Sequence, residues 1–236
     1  MEAELLARNI RTVTKVLFDL GWSSYQLDSG RGFSFQKDEP LRMTYAAEAP
    51  LSAELIVNEW AESSLADIIF GWGEERYSRR SAHAIGDARE KKRITRASQL
   101  AEIISEAAPG AYRHGRLHPA TRTFQALRIA TNDELGALQK GLKAALALLS
   151  DHGRIAVISF HSIEDRIVKQ AFAAWEKEGG GRRLTKKPLV PSSAETRENP
   201  RARSAKLRVF EKTAISHDKK DPKNKQIPHL DIPGEI

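Results

Sequence analysis

The chain has 236 residues, 40% of them hydrophobic and 29% charged, which fits one α/β domain with an inserted piece or two small domains. Its net charge of +7 suits a polyanionic partner, and the absence of cysteine excludes disulfides and thiolate metal sites. No apolar run reaches transmembrane length and no signal peptide opens the chain, so we expect a soluble cytoplasmic protein without a membrane partner.

The first half of the chain predicts one strand followed by helices. Residues 15–21 (KVLFDLG) form a short apolar run ended by Asp19 and Gly21, typical of a buried strand with a turn at its carboxyl end. Residues 23–37 are polar and predict a loop that carries exposed aromatic side chains, Phe33 and Phe35. The next segment predicts four helices, two capped by Ser52 and Ser64 and two over residues 74–90 and 95–108. Together they predict an all-helical module.

The second half predicts a long helix, a buried strand and an amphipathic helix. Apolar residues recur at helical spacing from 118 to 149, and 155–160 (IAVISF) is an apolar, β-branched run. Ser162, with Asp165 three residues later, predicts a capping box for the next helix. Glycines 179–181 predict a linker, residues 184–191 and 205–211 predict two more strands, and the tail after 213 predicts disorder.

This order of elements predicts an α/β fold with a helical insertion. We expect a partial catalytic domain over residues 1–48, a helical substrate-recognition domain over 49–118, the rest of the catalytic domain over 119–213, and a disordered tail over 214–236.

Two strand-to-helix turns are candidates for chemistry, because ligands bind at the carboxyl edge of an α/β sheet. The first turn carries Asp19, and the second carries His161 and Ser162. A lone aspartate that caps a turn, or a histidine that bonds the backbone, would explain the same spacing without a site. No His, Asp and Glu set with metal-ligand spacing is present, so we expect no metal.

Six blocks of the chain resemble one family, the bacterial ribosomal RNA small-subunit methyltransferase H or MraW family. They occur in the family's order over residues 19–28 (DLGWSSYQLD), 31–35 (RGFSF), 118–129 (HPATRTFQALRI), 132–135 (NDEL), 158–168 (ISFHSIEDRIV) and 199–208 (NPRARSAKLR). The resemblance implies a class I, Rossmann-like S-adenosylmethionine-dependent methyltransferase fold. It also implies methylation of the N4 amine of a cytosine in 16S ribosomal RNA.

The resemblance also assigns roles to residues. It implies that Asp19 and Gln26 contact S-adenosylmethionine. The catalytic candidates are Asp19, Ser23 and Ser24 in and after the first turn and His161, which is placed at the same sheet edge by the second turn. Trp22 or Tyr25 could stack on a base or on adenine. In a basic protein that resembles an RNA enzyme, phosphate contact is the favoured role of two basic clusters, although each residue alone would suit an ordinary solvated face. The first cluster is Arg76, Arg79, Arg80, Arg89, Lys91, Lys92 and Arg93, of which Arg76, Arg79 and Arg80 are the favoured RNA contacts. The second cluster is Arg201, Arg203, Lys206 and Arg208.

Two departures from the family pattern leave the activity open. Nothing before residue 15 matches the family's Gly-rich cofactor loop, so we expect an amino-terminally incomplete fold that binds S-adenosylmethionine weakly or not at all by itself. Residues 40–44 (PLRMT) also differ from the family's usual acidic run. The alternatives are an enzyme, an inactive truncated homologue that acts as an RNA-binding module, and a gene model whose start lies upstream. A homodimer also stays open.

Overall fold

In a computed structural model, residues 2–21 and 23–213 are described, and they form a mixed α/β fold. The sheet has four strands: β1 (Val13–Asp19), β2 (Leu149–Ser159), β3 (Gly181–Arg183) and β4 (Lys206–Lys212). The strand order is β1-β2-β4-β3, with β1 parallel to β2 and the other two pairs antiparallel. Asp19 is the register partner of Ile158. The carboxyl ends of β1 and β2 therefore meet at one edge of the sheet.

The helices lie between and after these strands. They are α1 (Glu2–Ala7), α2 (Ser24–Leu27), α3 (Ala53–Glu59), α4 (Glu62–Gly71), α5 (Ser78–Lys91), α6 (Ala97–Ala107), α7 (Gly110–Arg113), α8 (Ala120–Asn132), α9 (Glu134–Leu148), α10 (Ser162–Lys177) and α11 (Ser193–Glu198), with a 3-10 turn at Pro200–Ser204. The predicted order of strand, helical module, strand and helix is confirmed. None of the described helices is long and apolar enough to cross a membrane.

The buried apolar side chains form two clusters. One cluster joins α3, α4, α5, α6 and α8 to the segment 33–43, and the other joins β2 and β4 to α9 and α10. Phe33 is only 5% exposed and belongs to the first cluster, so the prediction of exposed aromatics in this loop is wrong for Phe33. The predicted domain boundaries at residues 48 and 118 stay a prediction, because packing alone does not define a folding unit.

The predicted long helix is two helices, because the chain breaks at Asp133. This residue has φ 47 and ψ 43 and ends α8 while it begins α9. Aspartate tolerates the left-handed conformation better than most residues, and the apolar periodicity on both sides hides the break. The break turns Glu134 back toward α8.

The predicted helix starts in the module are partly right. Ser52 caps α3, since its Oγ accepts a hydrogen bond from the Leu55 N–H. Ser64 lies inside α4, whose cap is Ala61, so the predicted cap there is wrong. A strong local cap signal therefore places one helix start and misplaces the other.

The carboxyl-terminal strand pair is also different from the prediction. β4 is confirmed, but its neighbour is the short strand β3, which begins at Gly181. A Cβ on Gly181 would lie 2.2 Å from the Glu211 carbonyl oxygen, so this glycine permits strand pairing rather than a flexible linker. Residues 184–191 pair with β4 irregularly: the Leu184 and Thr185 N–H groups donate to the Val209 carbonyl at 2.9 and 3.4 Å, and Leu189 forms a bridge with Leu207. The predicted disorder of residues 214–236 lies outside the described residues.

Two glycines in the loop after β1 offer a matched test of its packing. Gly30 and Gly32 both have positive φ, of 70 and 76, but only Gly32 is crowded, since an added Cβ would lie 2.3 Å from the Pro40 carbonyl oxygen. We expect Gly30→Ala to lower the free energy of unfolding by about 1–2 kcal/mol through backbone strain. Gly32→Ala should cost about 2 kcal/mol more, because the clash involves backbone. Equal losses in urea unfolding would show that the loop does not pack as described.

Candidate active site

The first candidate turn lies at the carboxyl end of β1. The N–H of Leu20 donates to the Ile158 carbonyl at 3.0 Å, which extends the pairing of β1 and β2 one residue beyond Asp19. The Asp19 side chain is exposed beside this last pair. Its carboxylate is therefore at the sheet edge, where an acceptor for a ligand N–H is useful.

The loop that follows holds the other residues implied near the cofactor. The Ser23 N–H donates to Gln26 Oε1 at 2.6 Å, so the carbonyl end of the Gln26 side chain is used within the turn. Ser24 begins α2, and Trp22 lies outside the described residues. Tyr25 is 83% exposed and lines an open cleft with Asp28, Ser29, Arg31 and Ala47. Tyr25, one of the two predicted stacking residues, therefore lies at a cleft.

The second candidate turn is organised by His161 rather than by Ser162. The His161 Nδ1 accepts a hydrogen bond from the Glu164 N–H at 3.4 Å, and the Glu164 carboxylate accepts from the His161 N–H at 3.3 Å. The predicted box of Ser162 and Asp165 is therefore shifted by one residue. Because Nδ1 is the acceptor here, the imidazole proton is on Nε2. The Nε2 atom lies 3.2 Å from Glu164 Oε1.

A buried ion pair lies beside this turn. Arg128 of α8 and Glu134 of α9 are joined by two hydrogen bonds of 2.8 and 3.0 Å, and each side chain is 11% exposed. The Tyr45 hydroxyl donates to the same carboxylate at 2.6 Å, and burial raises the pKa of Tyr45 well above its ordinary value. Tyr45 is therefore a neutral hydrogen-bond donor that ties the loop after β1 to the α8–α9 junction.

Three of these side chains form a cluster that spacing in the sequence did not indicate. Potential ligand atoms of Glu134, His161 and Glu164 lie within 4.8 Å of one another. Glu134 is 27 residues before His161, so only the fold brings them together. Both oxygens of Glu134 already accept from Arg128, and the His161 lone pair faces the helix backbone. This donor set suits a hydrogen-bonded network better than a cation.

Ser162, predicted to face the site, instead joins the helical module to α10. Its hydroxyl donates to the Glu74 carboxylate, and Arg166 donates to the other oxygen of Glu74 at 2.6 Å. The hydrogen bond from Ser162 contributes most to lowering the pKa of Glu74 below its usual range. Glu74 thus holds the start of α5 against the first turn of α10.

The predicted RNA-contacting residues differ in their surroundings. Arg76, Arg79, Arg80, Arg201 and Arg203 are exposed. Arg208 is 5% exposed and makes two hydrogen bonds to Asp165, of 2.7 and 3.1 Å. Lys206 lies 3.6 Å from the same carboxylate. We therefore remove Arg208 from the predicted RNA-contacting set, since its guanidinium is buried and paired inside the protein.

Comparison with known proteins identifies the family. Residues 1–213 match the model of the MraW methylase family. The chain belongs to this family. It is 49% identical over 209 residues to ribosomal RNA small subunit methyltransferase H of Coprothermobacter proteolyticus, and the aligned region covers 88% of this chain and 69% of that protein. It is 53% identical over 198 residues to the protein of the same name from Synechococcus elongatus, covering 84% of this chain and 65% of that one.

The same name is carried by a Deinococcus radiodurans protein, 52% identical over 214 residues, or 90% of this chain and 67% of that one. The chain thus spans about two thirds of the length of the curated relatives it matches. The class I methyltransferase fold that the sequence predicted is confirmed as the fold class of this family. The four described strands and their helices belong to this fold.

The Asp165–Arg208 pair predicts a pH effect on stability. Burial raises the pKa of the Asp165 carboxyl, but the hydrogen bond and charge of Arg208 outweigh burial and hold this pKa below its usual range. A carboxylate with a depressed pKa stabilises the fold at neutral pH, and the stabilisation is lost as the pH falls through the folded-state value, below about 4. We expect Asp165→Asn to cost about 3 kcal/mol at pH 7 and to flatten the loss of stability on acidification.

The control is Asp28→Asn, which removes a carboxylate from an exposed pair with Lys37 at 3.0 Å. Exposed pairs contribute about 1 kcal/mol or less. Urea unfolding of the three proteins from pH 7 to pH 3 makes the comparison. Equal costs for both variants at pH 7 would contradict the buried pairing of Arg208.

Proposed function

We propose that the protein transfers a methyl group from S-adenosylmethionine to the N4 amine of a cytosine in 16S ribosomal RNA, in the bacterial cytoplasm. Family membership supports methylation of ribosomal RNA, because the relatives are named small-subunit ribosomal RNA methyltransferases. The observation that carries the proposal is the exposed Asp19 carboxylate, which lies at the carboxyl edge of two parallel strands.

The residues at this edge fit a cofactor and an amine. Asp19 is an exposed acceptor at the end of β1, and Tyr25 offers an exposed aromatic face beside the cleft. When bound, S-adenosylmethionine supplies the electrophilic methyl carbon, which leaves sulfur as the amine nitrogen bonds to it. Ser23 and Ser24 stay catalytic candidates, and Gln26 stays the candidate cofactor contact.

The proposed role of Asp19 is to orient the amine. A cytosine N4 amine is conjugated with its ring, so its lone pair is a weak nucleophile until an acceptor draws on an N–H bond. A carboxylate held at the strand end can accept that hydrogen bond and fix the nitrogen in line for attack. The amine proton then leaves to the carboxylate or to water.

His161 has a positioning role in this proposal. Its ring caps α10 through Nδ1, and its Nε2–H lies next to the Glu164 carboxylate. These contacts fix the turn that follows β2, beside Asp19 across the strand pair. A homodimer stays a prediction, and the methyl transfer does not require one.

A second candidate function is RNA binding without catalysis. Among the described residues β1 is an edge strand, and its Leu17 is 66% exposed. A chain that binds no cofactor at this open edge would still carry the exposed arginines Arg76, Arg79 and Arg80. Binding of ribosomal RNA in the absence of cofactor binding and methyl transfer would favour this second function.

The test is methyl transfer from tritiated S-adenosylmethionine to small ribosomal subunits that lack the modification. We expect Asp19→Asn to lower turnover by about two orders of magnitude, because the neutral amide oxygen that remains is a weaker acceptor and cannot take the amine proton. The fold should persist, since the Asp19 side chain is exposed.

The matched control is Asp67→Asn, which changes an exposed aspartate on α4 and should leave turnover unchanged. The melting temperature of each variant separates loss of catalysis from loss of fold. Near-normal turnover in a folded Asp19→Asn protein would remove Asp19 from the site.

A further inference from the structure

Among the described residues, a group of arginines at the start of α5 and around the end of α7 has no carboxylate partner. Elsewhere arginines such as Arg93, Arg96 and Arg154 pair with acidic side chains. We call this group the arginine patch, and its members are Arg76, Arg79, Arg80, Arg113 and Arg116. None of them forms an ion pair with an acidic side chain within the part of the chain that the structure describes. The Arg113 guanidinium donates to the Ala108 and Glu106 carbonyl oxygens, at 3.2 and 3.4 Å, and these neutral acceptors leave its charge in place.

Two tyrosines hold the two halves of the patch together. The rings of Tyr77 and Tyr112 meet edge to face with centroids 5.1 Å apart. The Arg76 guanidinium lies 4.6 Å from the Tyr77 centroid and 5.5 Å from the Tyr112 centroid. Stacking on aromatic faces orders an arginine while its N–H groups stay available. Arg76 contacts a tyrosine from each segment and therefore joins the segments 76–80 and 110–116.

The acidic side chains beside the patch are used elsewhere. Glu75 is 1% exposed, and its carboxylate accepts from the Tyr77 N–H at 2.8 Å and from the Tyr112 hydroxyl. Burial, with help from this hydrogen bond, raises the pKa of Tyr112 to about 12, so its phenol remains a donor. The Glu74 carboxylate is occupied by Ser162 and Arg166. The surface charge of the patch is therefore not compensated by these two residues.

The patch borders the catalytic edge of the sheet on two sides. On one side Glu74 joins the start of α5 to Ser162, next to His161. On the other side the loop after α7 reaches His118, whose ring stacks on Phe35 with centroids 4.6 Å apart. Phe35 belongs to the loop that follows β1. A polyanion lying on the patch would therefore extend toward the carboxyl ends of β1 and β2.

We propose that the arginine patch binds the phosphodiester backbone of the RNA strand whose target base reaches the sheet edge. This inference rests on the proposed function and adds to it the segment 110–116, which no local pattern in the sequence indicated. Guanidinium groups pair with phosphate oxygens in a planar, two-point geometry. Five guanidiniums without a carboxylate partner among the described residues, one of them stacked on two tyrosine rings, match an RNA backbone better than a neutral or basic protein surface.

The test is binding of a 16S ribosomal RNA fragment by the whole chain, measured by fluorescence anisotropy between 50 and 200 mM salt. The variant is Arg113→Gln with Arg116→Gln. We expect it to bind about tenfold more weakly at low salt, and the slope of log affinity against log salt to fall by about 1.4, or about 0.7 for each phosphate that the variant no longer neutralises. The Arg116→Gln single change, at an exposed position, should give about half of this effect.

The control is Lys91→Gln with Lys92→Gln, which removes the same charge at the other end of α5, about 20 Å away along a 14-residue helix. It should change affinity much less. Equal losses in the two double variants would show a general charge effect and overturn the proposal. Unchanged RNA binding by the Arg113 and Arg116 variant would contradict a role of the arginine patch in RNA binding but would leave the proposed function standing. Failure of the unmodified chain to bind this RNA would contradict both proposals.

Discussion

The buried pair of Arg128 and Glu134 is the interaction on which the catalytic edge depends. A buried arginine without its carboxylate would be strongly destabilising, so the pair fixes where α8 ends and α9 begins. The left-handed turn at Asp133 brings Glu134 back onto Arg128. The preceding Asn132 accepts from the Tyr45 N–H and donates to the Met43 carbonyl, each at 2.8 Å. One short junction therefore holds the loop after β1.

The same network connects the helical insertion to the sheet. Glu134 faces His161 and Glu164 at the turn after β2. The Glu74 carboxylate of the insertion accepts a hydrogen bond from Ser162, the residue that follows His161. The turn after β2 is thus contacted from two directions by elements far away in sequence. A rigid turn there is consistent with a chemistry that depends on in-line positioning of an amine and a methyl group.

The sequence correctly predicted the elements that depend on interactions between residues close together in the chain. The apolar run of β1, the Ser52 cap and the β2–α10 unit follow from side-chain periodicity and capping preference. The break at Asp133 was missed because apolar spacing continues across it. The cap of α10 was misplaced because two acidic residues, Glu164 and Asp165, lie side by side and either spacing looks like a capping box.

The site itself depended on long-range contacts that composition does not reveal. Arg208 was predicted to contact RNA because it lies in a basic run, yet the fold buries it against Asp165. Arg128 is a charged residue on an otherwise apolar helix face, which indicates a buried charge with a partner. The sequence does not show that this partner is Glu134. Phe33 was buried by tertiary packing against the module despite its polar neighbours in sequence.

Hydrogen exchange of Glu134→Gln tests most directly whether the Arg128–Glu134 pair holds the loop after β1 in place. The account predicts that amides of residues 43–45 and 128–134 lose protection together, because Tyr45 and Arg128 lose the same carboxylate. Glu54→Gln is the control, since Arg93 keeps Glu59 as a partner at 2.7 Å, and it should leave residues 43–45 protected. Unchanged exchange of residues 43–45 in a folded Glu134→Gln protein would contradict the account.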